Sequence, residues 1–154
     1  MNTLQLKQII ENDKYAKVYF CGVIPIDYLP KEKLNKTCSF IVNTDDSTNI
    51  GKHWIAIFCP IIGNIEYFDP IGQKPINEEI FDFIKLNEKN YIFNSQRLQS
   101  AYSQNCGLFC IFYILLRSRN MSMMKIIQFF NKQYLHLNDI FIENLFKQFN
   151  INTR

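Results

Sequence analysis

The sequence has few of the residues that build metal centres or disulfide scaffolds. It contains two histidines and no Cys-x-x-Cys pair, so a tetrahedral zinc site has almost no ligands from which to form. Five cysteines are present, an odd number, at spacings that match no disulfide framework. We therefore expect reduced thiols, an intracellular and reducing compartment, and no bound metal.

Long apolar segments are also missing. The longest apolar run, residues 107–116, is about half of the roughly 20 residues that a membrane-spanning helix needs. The first residues, MNTLQLKQIIENDK, have no apolar core of the kind found in signal peptides. These absences predict a protein with no membrane partner, and they favour a buried core helix for residues 107–116.

Size and composition are those of a globular protein. A length of 154 residues suits a single hydrophobic core, so we expect one domain over residues 1–154. Hydrophobic residues make up 47% and charged residues 20% of the chain, as in ordinary globular proteins. The net charge of +3, without any run of lysine or arginine, does not by itself indicate a nucleic-acid-binding protein.

Hydrophobic periodicity predicts a strand-rich middle and a helical C-terminal part. Five segments are typical of strands: KVYFCGVI, CSFIVNT, HWIAIFCP, IEYFDP and NYIFNS. Helices are expected at TLQLKQIIEND with Thr3 as N-cap, NEEIFDFIKLNEK, CGLFCIFYILLRS, SMMKIIQFFNKQY with Ser122 as N-cap, and NDIFIENLFKQF with Asn138 as N-cap. This arrangement predicts an α+β fold.

Cys106 stands at the front edge of the longest apolar run, after the polar residues of QSAYSQNCGLFC. If a helix begins near Asn105, the thiol lies in its first turn, where backbone N–H groups and the helix dipole favour an anion. The thiolate is the nucleophilic form of cysteine. Gly107 is poor for a helix interior, and close approach of substrate or of neighbouring backbone would explain it. A buried structural cysteine beside a packing glycine explains this stretch equally well.

A nucleophilic thiolate needs a base and a group that orients the base. His53 begins one predicted strand and Asp69 ends its hairpin partner. If the turn centres near residues 61 and 62, paired residue numbers sum to about 123 or 124, and Asp69 lies within about one step of His53. The carboxylate could then fix the imidazole tautomer. Alternatively, Asp69 simply begins an Asp-Pro turn.

Two further choices remain at this point. His136 is the competing base, but its place near a helix end gives it an adequate structural role, so we favour His53. Acyl transfer also requires hydrogen-bond donors for a developing oxyanion. The backbone N–H of Cys106 is one candidate, and side-chain amides stand upstream of it at Gln99, Gln104 and Asn105. Spacing alone does not choose among the three amides.

Three motifs that occur in one order, GKHWIAIF, IEYFDPIG and QSAYSQNCGLFC, resemble the family of the adenovirus maturation protease, adenain. This family has relatives in viruses and in Maverick/Polinton-type elements and is related to the SUMO-deconjugating cysteine proteases. The resemblance covers roughly residues 3–118. It implies a central mixed sheet, a buried helix that starts at the nucleophile, and flanking helices.

The resemblance also implies a role for each motif residue. Four positions correspond to the catalytic residues of the family: the nucleophile Cys106, the general base His53, the acidic residue Asp69 and the oxyanion glutamine Gln99, seven residues before the cysteine. Trp54 matches the His-Trp pair of the family and would shield the imidazole. Asn105 and Gly107 are expected in the substrate cleft or its support.

The activity implied by the resemblance is that of a cysteine endopeptidase that cleaves viral capsid or core precursors at glycine-containing sites. Such an enzyme would work in the host nucleus or cytoplasm and in the virion. A ubiquitin-like-modifier deconjugating protease and a catalytically silent binding module of the same fold are the alternatives.

The residues and the family resemblance lead to different expectations about cofactors. The sequence itself requires none, whereas the resemblance implies DNA and an activating peptide. In adenain that peptide forms a disulfide with a cysteine upstream of the oxyanion glutamine. The corresponding segment here, NEKNYIFNSQRL, contains no cysteine, which argues against a disulfide-linked peptide.

Overall fold

The computed structural model describes residues 2–51 and 53–148. Within them the strands form one five-stranded sheet in the order β1–β2–β3–β4–β5. The strands are β1 (Phe20–Pro25), β2 (Cys38–Asn43), β3 (Trp54–Cys59), β4 (Ile65–Phe68) and β5 (Tyr91–Phe93). The two outer pairs are parallel and the two inner pairs antiparallel, so the sheet is mixed, as the resemblance implied.

Helices flank this sheet. They are α1 (Thr3–Asn12), α2 (Glu78–Leu86), α3 (Cys106–Arg117), α4 (Met123–Ile127) and α5 (Leu135–Lys147). The α+β class predicted from periodicity is therefore confirmed. Within the described residues no helix is long and apolar enough to cross a lipid bilayer.

Strand β3 lies at the centre of the sheet and is buried on both faces. Ala56 and Phe58 belong to the core cluster that also contains the apolar residues of α1 and α3. Ile55 and Ile57 belong to a second cluster, which contains those of α2. Because successive side chains of a strand point to opposite faces, a strand covered by helices on both sides reads as a continuous apolar run.

The hairpin of β3 and β4 has the register that the sequence predicted. The paired residues are Ala56 with Phe68, Ile57 with Tyr67, and Phe58 with Glu66. Each pair of residue numbers sums to 124, one of the two expected values. The register brings the residue before β3 close to the residue after β4.

Helix α3 runs through the core, and every residue from Cys106 to Ile114 is buried. Its second residue, Gly107, lies against α1: a Cβ atom there would stand 2.9 Å from Leu6 Cδ2 and 3.6 Å from Trp54 Cδ1. Because Leu6 is fully buried, it has little room to give way. Close packing of α1 and Trp54 on α3 therefore accounts for the glycine, rather than approach of a substrate.

Some helix ends differ from the sequence predictions. Helix α1 is capped by Asn2 rather than Thr3, in a capping box completed by Gln5. Ser122 caps α4 as predicted, accepting a hydrogen bond from the Lys125 N–H. Helix α4 ends at Ile127, well before the end of the predicted segment. The chain turns there, and Phe130 enters the core against aromatic rings of α3.

The prediction that Asn138 caps the last helix is wrong. Helix α5 begins at Leu135, with Tyr134 in the N-cap position. The side chain of Asn138 is buried and donates to the carbonyl groups of Leu98 and Asn131. Its Oδ1, the acceptor that a cap would use, instead accepts a hydrogen bond from the Asn131 N–H at 2.7 Å, a contact that periodicity does not report.

Candidate active site

A cleft of about 410 Å³ opens where the starts of β3 and α3 meet the segment that precedes α3. Its lining includes Cys106, His53, Trp54, Gln99, Gln104 and Arg97. Residues that are far apart in the sequence thus meet in one concave surface. Cavities of this kind with converging polar groups are the usual form of an active site.

His53 and Asp69 form an ion-pair-type contact at the back of this cleft. His53 directly precedes β3, and its carbonyl accepts a hydrogen bond from the Thr44 N–H at 3.0 Å. Asp69 directly follows β4, and its Oδ1 lies 2.8 Å from His53 Nε2. The histidine side chain is 22% exposed and the aspartate side chain 3%. The buried carboxylate therefore orients the imidazole through Nε2. The other ring nitrogen, Nδ1, is left for groups in the cleft.

Cys106 lies in the same cleft as His53, and its hydrogen bonding and charge act to raise the pKa of the imidazole. Since Asp69 engages Nε2, the nitrogen left for the thiol is Nδ1. Burial alone would lower the pKa of His53, but the hydrogen bonds and charges of Asp69 and Cys106 raise it to about 9. The raised pKa favours the imidazolium, which is the form of histidine required for a thiolate–imidazolium pair.

The main chain of Asp69 is held by a residue that sequence reasoning missed. The Asp69 N–H donates to Asn94 Oδ1 at 2.8 Å, and Asn94 Nδ2 donates back to the Asp69 carbonyl at 2.6 Å. Asn94 is 2% exposed. It directly follows β5, which pairs with β4. A polar residue at the end of a neighbouring strand was the one available signal.

Gln99 is buried at the edge of the cleft, with 4% of its surface exposed. Its backbone N–H donates to the Pro70 carbonyl at 3.0 Å. The side-chain Nε2 donates to the Ser103 carbonyl at 2.7 Å, which uses one of its two hydrogens. Gln99 also lines the cleft beside Cys106, and its Oε1 is buried without a hydrogen-bond partner. Gln104 also lines the cleft, so two of the three amides that the sequence left open are near Cys106.

Of the other residues that the sequence singled out, most lie outside the cleft lining. The Asn105 side-chain amide donates to Glu143 Oε1 at 2.7 Å, so it contacts α5 instead of the cleft. Gly107 is buried against Leu6, as described above. His136 lies in α5 with its ring against Tyr134. Of the supporting residues, Trp54 is the one that lines the cleft itself.

Cys110 lies one helical turn after Cys106 but has a different environment. It is fully buried, its Sγ donates to the Trp54 carbonyl at 3.4 Å, and burial raises the pKa of its thiol well above the usual range. All five cysteines lie in the described part of the chain and carry free thiols. Over residues 2–51 and 53–148, no group of three His, Cys, Asp or Glu side chains is placed to hold a metal ion.

The family model of the adenovirus endoprotease matches residues 20–137 of the chain. This stretch contains all five strands and every residue of the cleft named above. The chain belongs to the adenovirus endoprotease family. The family indicated by the three sequence motifs is thereby confirmed.

Several viral proteases are similar to this family member. The SUMO-1 cysteine protease of African swine fever virus is 30% identical over 112 residues, which are 63% of this chain and 41% of that protein. The protease of bovine adenovirus 7 is 30% identical over 95 residues, 51% of this chain and 46% of that protein. The chain therefore spans less than half the length of these two relatives.

Among solved structures, the crystal structure of the African swine fever virus protease superposes with a TM-score of 0.48 and 28% identity, over 60% of this chain and 37% of that one.

Proposed function

We propose that the chain is a cysteine endopeptidase in which Cys106 is the nucleophile and His53 the general base. Asp69 orients His53, and the Gln99 side chain and the Cys106 backbone N–H stabilise the oxyanion. The observation that carries this proposal is the position of His53, which contacts Asp69 Oδ1 at 2.8 Å and lines the same cleft as Cys106. Membership of a protease family supports it.

In the first half of the reaction the Cys106 thiolate attacks the carbonyl carbon of the scissile peptide bond. A carbon–sulfur bond forms, and the negative charge moves to the carbonyl oxygen. Donors placed in advance at that oxygen lower the barrier, because they need no rearrangement when the charge develops. The intermediate collapses as the carbon–nitrogen bond breaks, and the imidazolium of His53 gives its proton to the departing amine.

In the second half, neutral His53 accepts a proton from water, which attacks the thioester. A carboxylic acid product leaves, and the thiolate–imidazolium pair is restored. Every proton is thus accounted for by the imidazole and water alone.

Proteins with glycine near the cut are the proposed substrates, in the first place viral structural precursors. The names of the relatives support a viral protease. DNA and an activating peptide are proposed as stimulators by analogy with the family. Cys21 is the exposed cysteine among the five, and it lies far in sequence from the segment at which the family's peptide is attached.

The test is cleavage of a fluorogenic peptide ending in Leu-x-Gly-Gly, with and without DNA, by the wild type and by Cys106→Ala. We expect turnover in the wild type and none in Cys106→Ala. A matched control, Cys21→Ala, removes an exposed thiol outside the cleft and should retain full activity. Cleavage that survives in Cys106→Ala would refute the assignment.

A second candidate is removal of ubiquitin-like modifiers after their Gly-Gly tails. The name of the African swine fever virus relative, a SUMO-1 cysteine protease, favours it. The two candidates separate in a comparison of rates, since a modifier protease should cleave a SUMO fusion much faster than a short peptide with the same tail. Equal rates would favour the endopeptidase.

A further inference from the structure

The segment that carries Gln99 is contacted by polar side chains of α5. Asn138 Nδ2 donates to the Leu98 carbonyl at 2.9 Å. Asp139 Oδ2 accepts a hydrogen bond from the Ser100 N–H at 3.1 Å. Glu143 Oε1 accepts one from the side-chain amide of Asn105 at 2.7 Å. Three residues of one helix thus hold residues on both sides of Gln99 and the residue before the nucleophile.

These contacts are largely removed from water. Asn138 is 3% exposed and Asp139 8%, and a buried polar group that loses its partner carries a large desolvation cost. Positions 139 and 143 are one helical turn apart and share a face, which is turned toward the segment. A shift of α5 along its axis would break all three hydrogen bonds together. The three bonds therefore fix the position of α5 relative to the segment that carries Gln99.

The other side of the segment is held by the turn that follows Asp69. The N–H groups of Leu98 and Gln99 both donate to the Pro70 carbonyl, at 2.9 and 3.0 Å. The bond from the Gln99 side chain to the Ser103 carbonyl lies within the segment and cannot position it relative to the rest of the molecule. Apart from the local bond that Arg97 Nε donates to the Gln99 carbonyl at 2.9 Å, the anchors outside the segment are therefore the Pro70 carbonyl and α5.

We propose that Asn138, Asp139 and Glu143 are positioning residues that hold the segment 98–105 so that Gln99 reaches the oxyanion formed at Cys106. This inference rests on the proposed function. The family match ends at residue 137, so it includes none of the three. Their effect on the reaction follows from the requirement that oxyanion donors be placed before the charge develops.

The test compares truncating and conservative variants at two of these positions. Asp139→Ala and Glu143→Ala remove the acceptor oxygen, whereas Asp139→Asn and Glu143→Gln keep an amide oxygen in its place. We expect kcat to fall about tenfold or more in the alanine variants, because donor placement is worth up to about 10²–10³ in kcat. KM should change less, and the amide variants should retain most activity. Asn144→Ala, an exposed position of the same helix, is the control and should behave as wild type.

Alkylation of Cys106 by iodoacetamide separates positioning from general damage. This reaction needs the thiolate and its imidazole but no oxyanion donor, so its rate should stay within about twofold of wild type in the alanine variants. Loss of alkylation in parallel with kcat, or an equal fall of kcat in Glu143→Gln or Asn144→Ala, would overturn the proposal.

Hydrogen exchange provides a measurement that does not depend on turnover. Amides of residues 98–105 should exchange faster in Asp139→Ala and Glu143→Ala than in wild type, while residues 54–68 remain unchanged. Unchanged exchange in 98–105 would overturn the anchoring by α5 even if activity fell. A wild-type protein that cleaves nothing would instead sink the proposed function, and the exchange result would still decide the anchoring.

Discussion

Burial and charge act on His53 in opposite directions. Removal of the ring from water favours its neutral form, whereas Asp69 and Cys106 favour the imidazolium strongly enough to raise the pKa to about 9. A single neighbouring carboxylate, itself 3% exposed at its side chain, contributes much of this effect. The protonation of the imidazole is therefore set by these two neighbours acting against burial.

Titration of His53 tests this balance directly. The chain has two histidines, so two imidazole proton signals should appear by NMR, and His136→Gln assigns them. We expect a pKa of about 9 for His53 in the wild type. In Asp69→Asn the pKa should be lower, because burial, which lowers it, is no longer opposed by the carboxylate. A wild-type signal that titrates near the ordinary value of 6.5 would contradict the contact.

The same contact makes stability depend on pH. A histidine whose pKa is higher in the folded than in the unfolded state stabilises the fold fully below its unfolded pKa. That contribution should be lost as the pH rises from about 6.5 through about 9. Urea unfolding at a series of pH values should show this decline in the wild type and a smaller one in Asp69→Asn.

Arg97 contributes a second positive charge to the cleft. Its Nε donates to the Gln99 carbonyl at 2.9 Å. The ratio of two alkylation rates of Cys106, with anionic iodoacetate and with neutral iodoacetamide, reports this charge. We expect Arg97→Gln to lower the ratio about two- to threefold at low salt, because a positive charge several ångströms away attracts the anionic reagent only. Arg97→Lys keeps the charge and should keep the ratio. A ratio that falls equally in Lys85→Gln, on the exposed side of α2, would show a general charge effect instead.

At the scale of elements, the turn after β4, which contains Gly72, is more crowded than the turn between β3 and β4, which contains Gly63. Gly72 has a φ of +73°, and a Cβ atom there would stand 2.7 Å from both Arg97 N and the Gln96 carbonyl carbon. These are backbone atoms of the segment that leads to Gln99, so they cannot move aside as a flexible side chain would. The turn after β4 and the segment before α3 therefore require a residue without a Cβ atom at their contact.

Gly72→Ala is expected to disturb both stability and catalysis. The positive φ alone costs about 1–2 kcal/mol for alanine, and the backbone clash should displace Gln99 and lower kcat. Gly63→Ala is the matched control, because it also has a positive φ of +113° but its nearest neighbour would be Pro60 Cγ at 3.7 Å. Urea unfolding should show a loss in both variants, with kcat reduced in Gly72→Ala alone. Equal kcat values in the two variants would show that the contact does not position Gln99.

At the scale of the whole molecule, α3 joins the cleft to a network at its other end. Arg117 Nε lies 2.8 Å from Glu66 Oε2 on β4, and the Tyr113 hydroxyl donates to the same carboxylate. The Arg117 guanidinium also stands over the Phe58 ring. Glu66 is buried, so these groups tie the helix to the centre of the sheet. Along the helix axis, Tyr113 lies about 10 Å and Arg117 about 16 Å from Cys106.

This separation predicts that stability and activity respond independently. Glu66→Ala leaves Arg117 and Tyr113 without their shared acceptor and should reduce the free energy of unfolding by about 3 kcal/mol. The kcat/KM of the folded fraction should stay near wild type, because the cleft residues are not touched. Glu32→Ala, at an exposed position, should change neither quantity. A fall in kcat/KM as large as that of a cleft variant would show that α3 transmits the disturbance to Cys106.

The sequence by itself determined the features that depend on local pattern. Alternation and apolar runs located all five strands, and the turn between β3 and β4 set a register that places Asp69 beside His53. The motifs around His53, Asp69 and Cys106 indicated the family. Each of these signals lies within a short stretch of chain or a single hairpin, where spacing and side-chain type are sufficient.

Only the tertiary structure decided how the cleft is held together. Asn94 binds Asp69 across 25 residues of sequence, and Asp139 binds the segment of Gln99 across 39. The absence of a Cβ atom at Gly107 and Gly72 likewise matters because Leu6 and Gln96 approach them. Such contacts leave no periodic signal, since each joins single positions whose separation in the chain is set by the path of the whole fold.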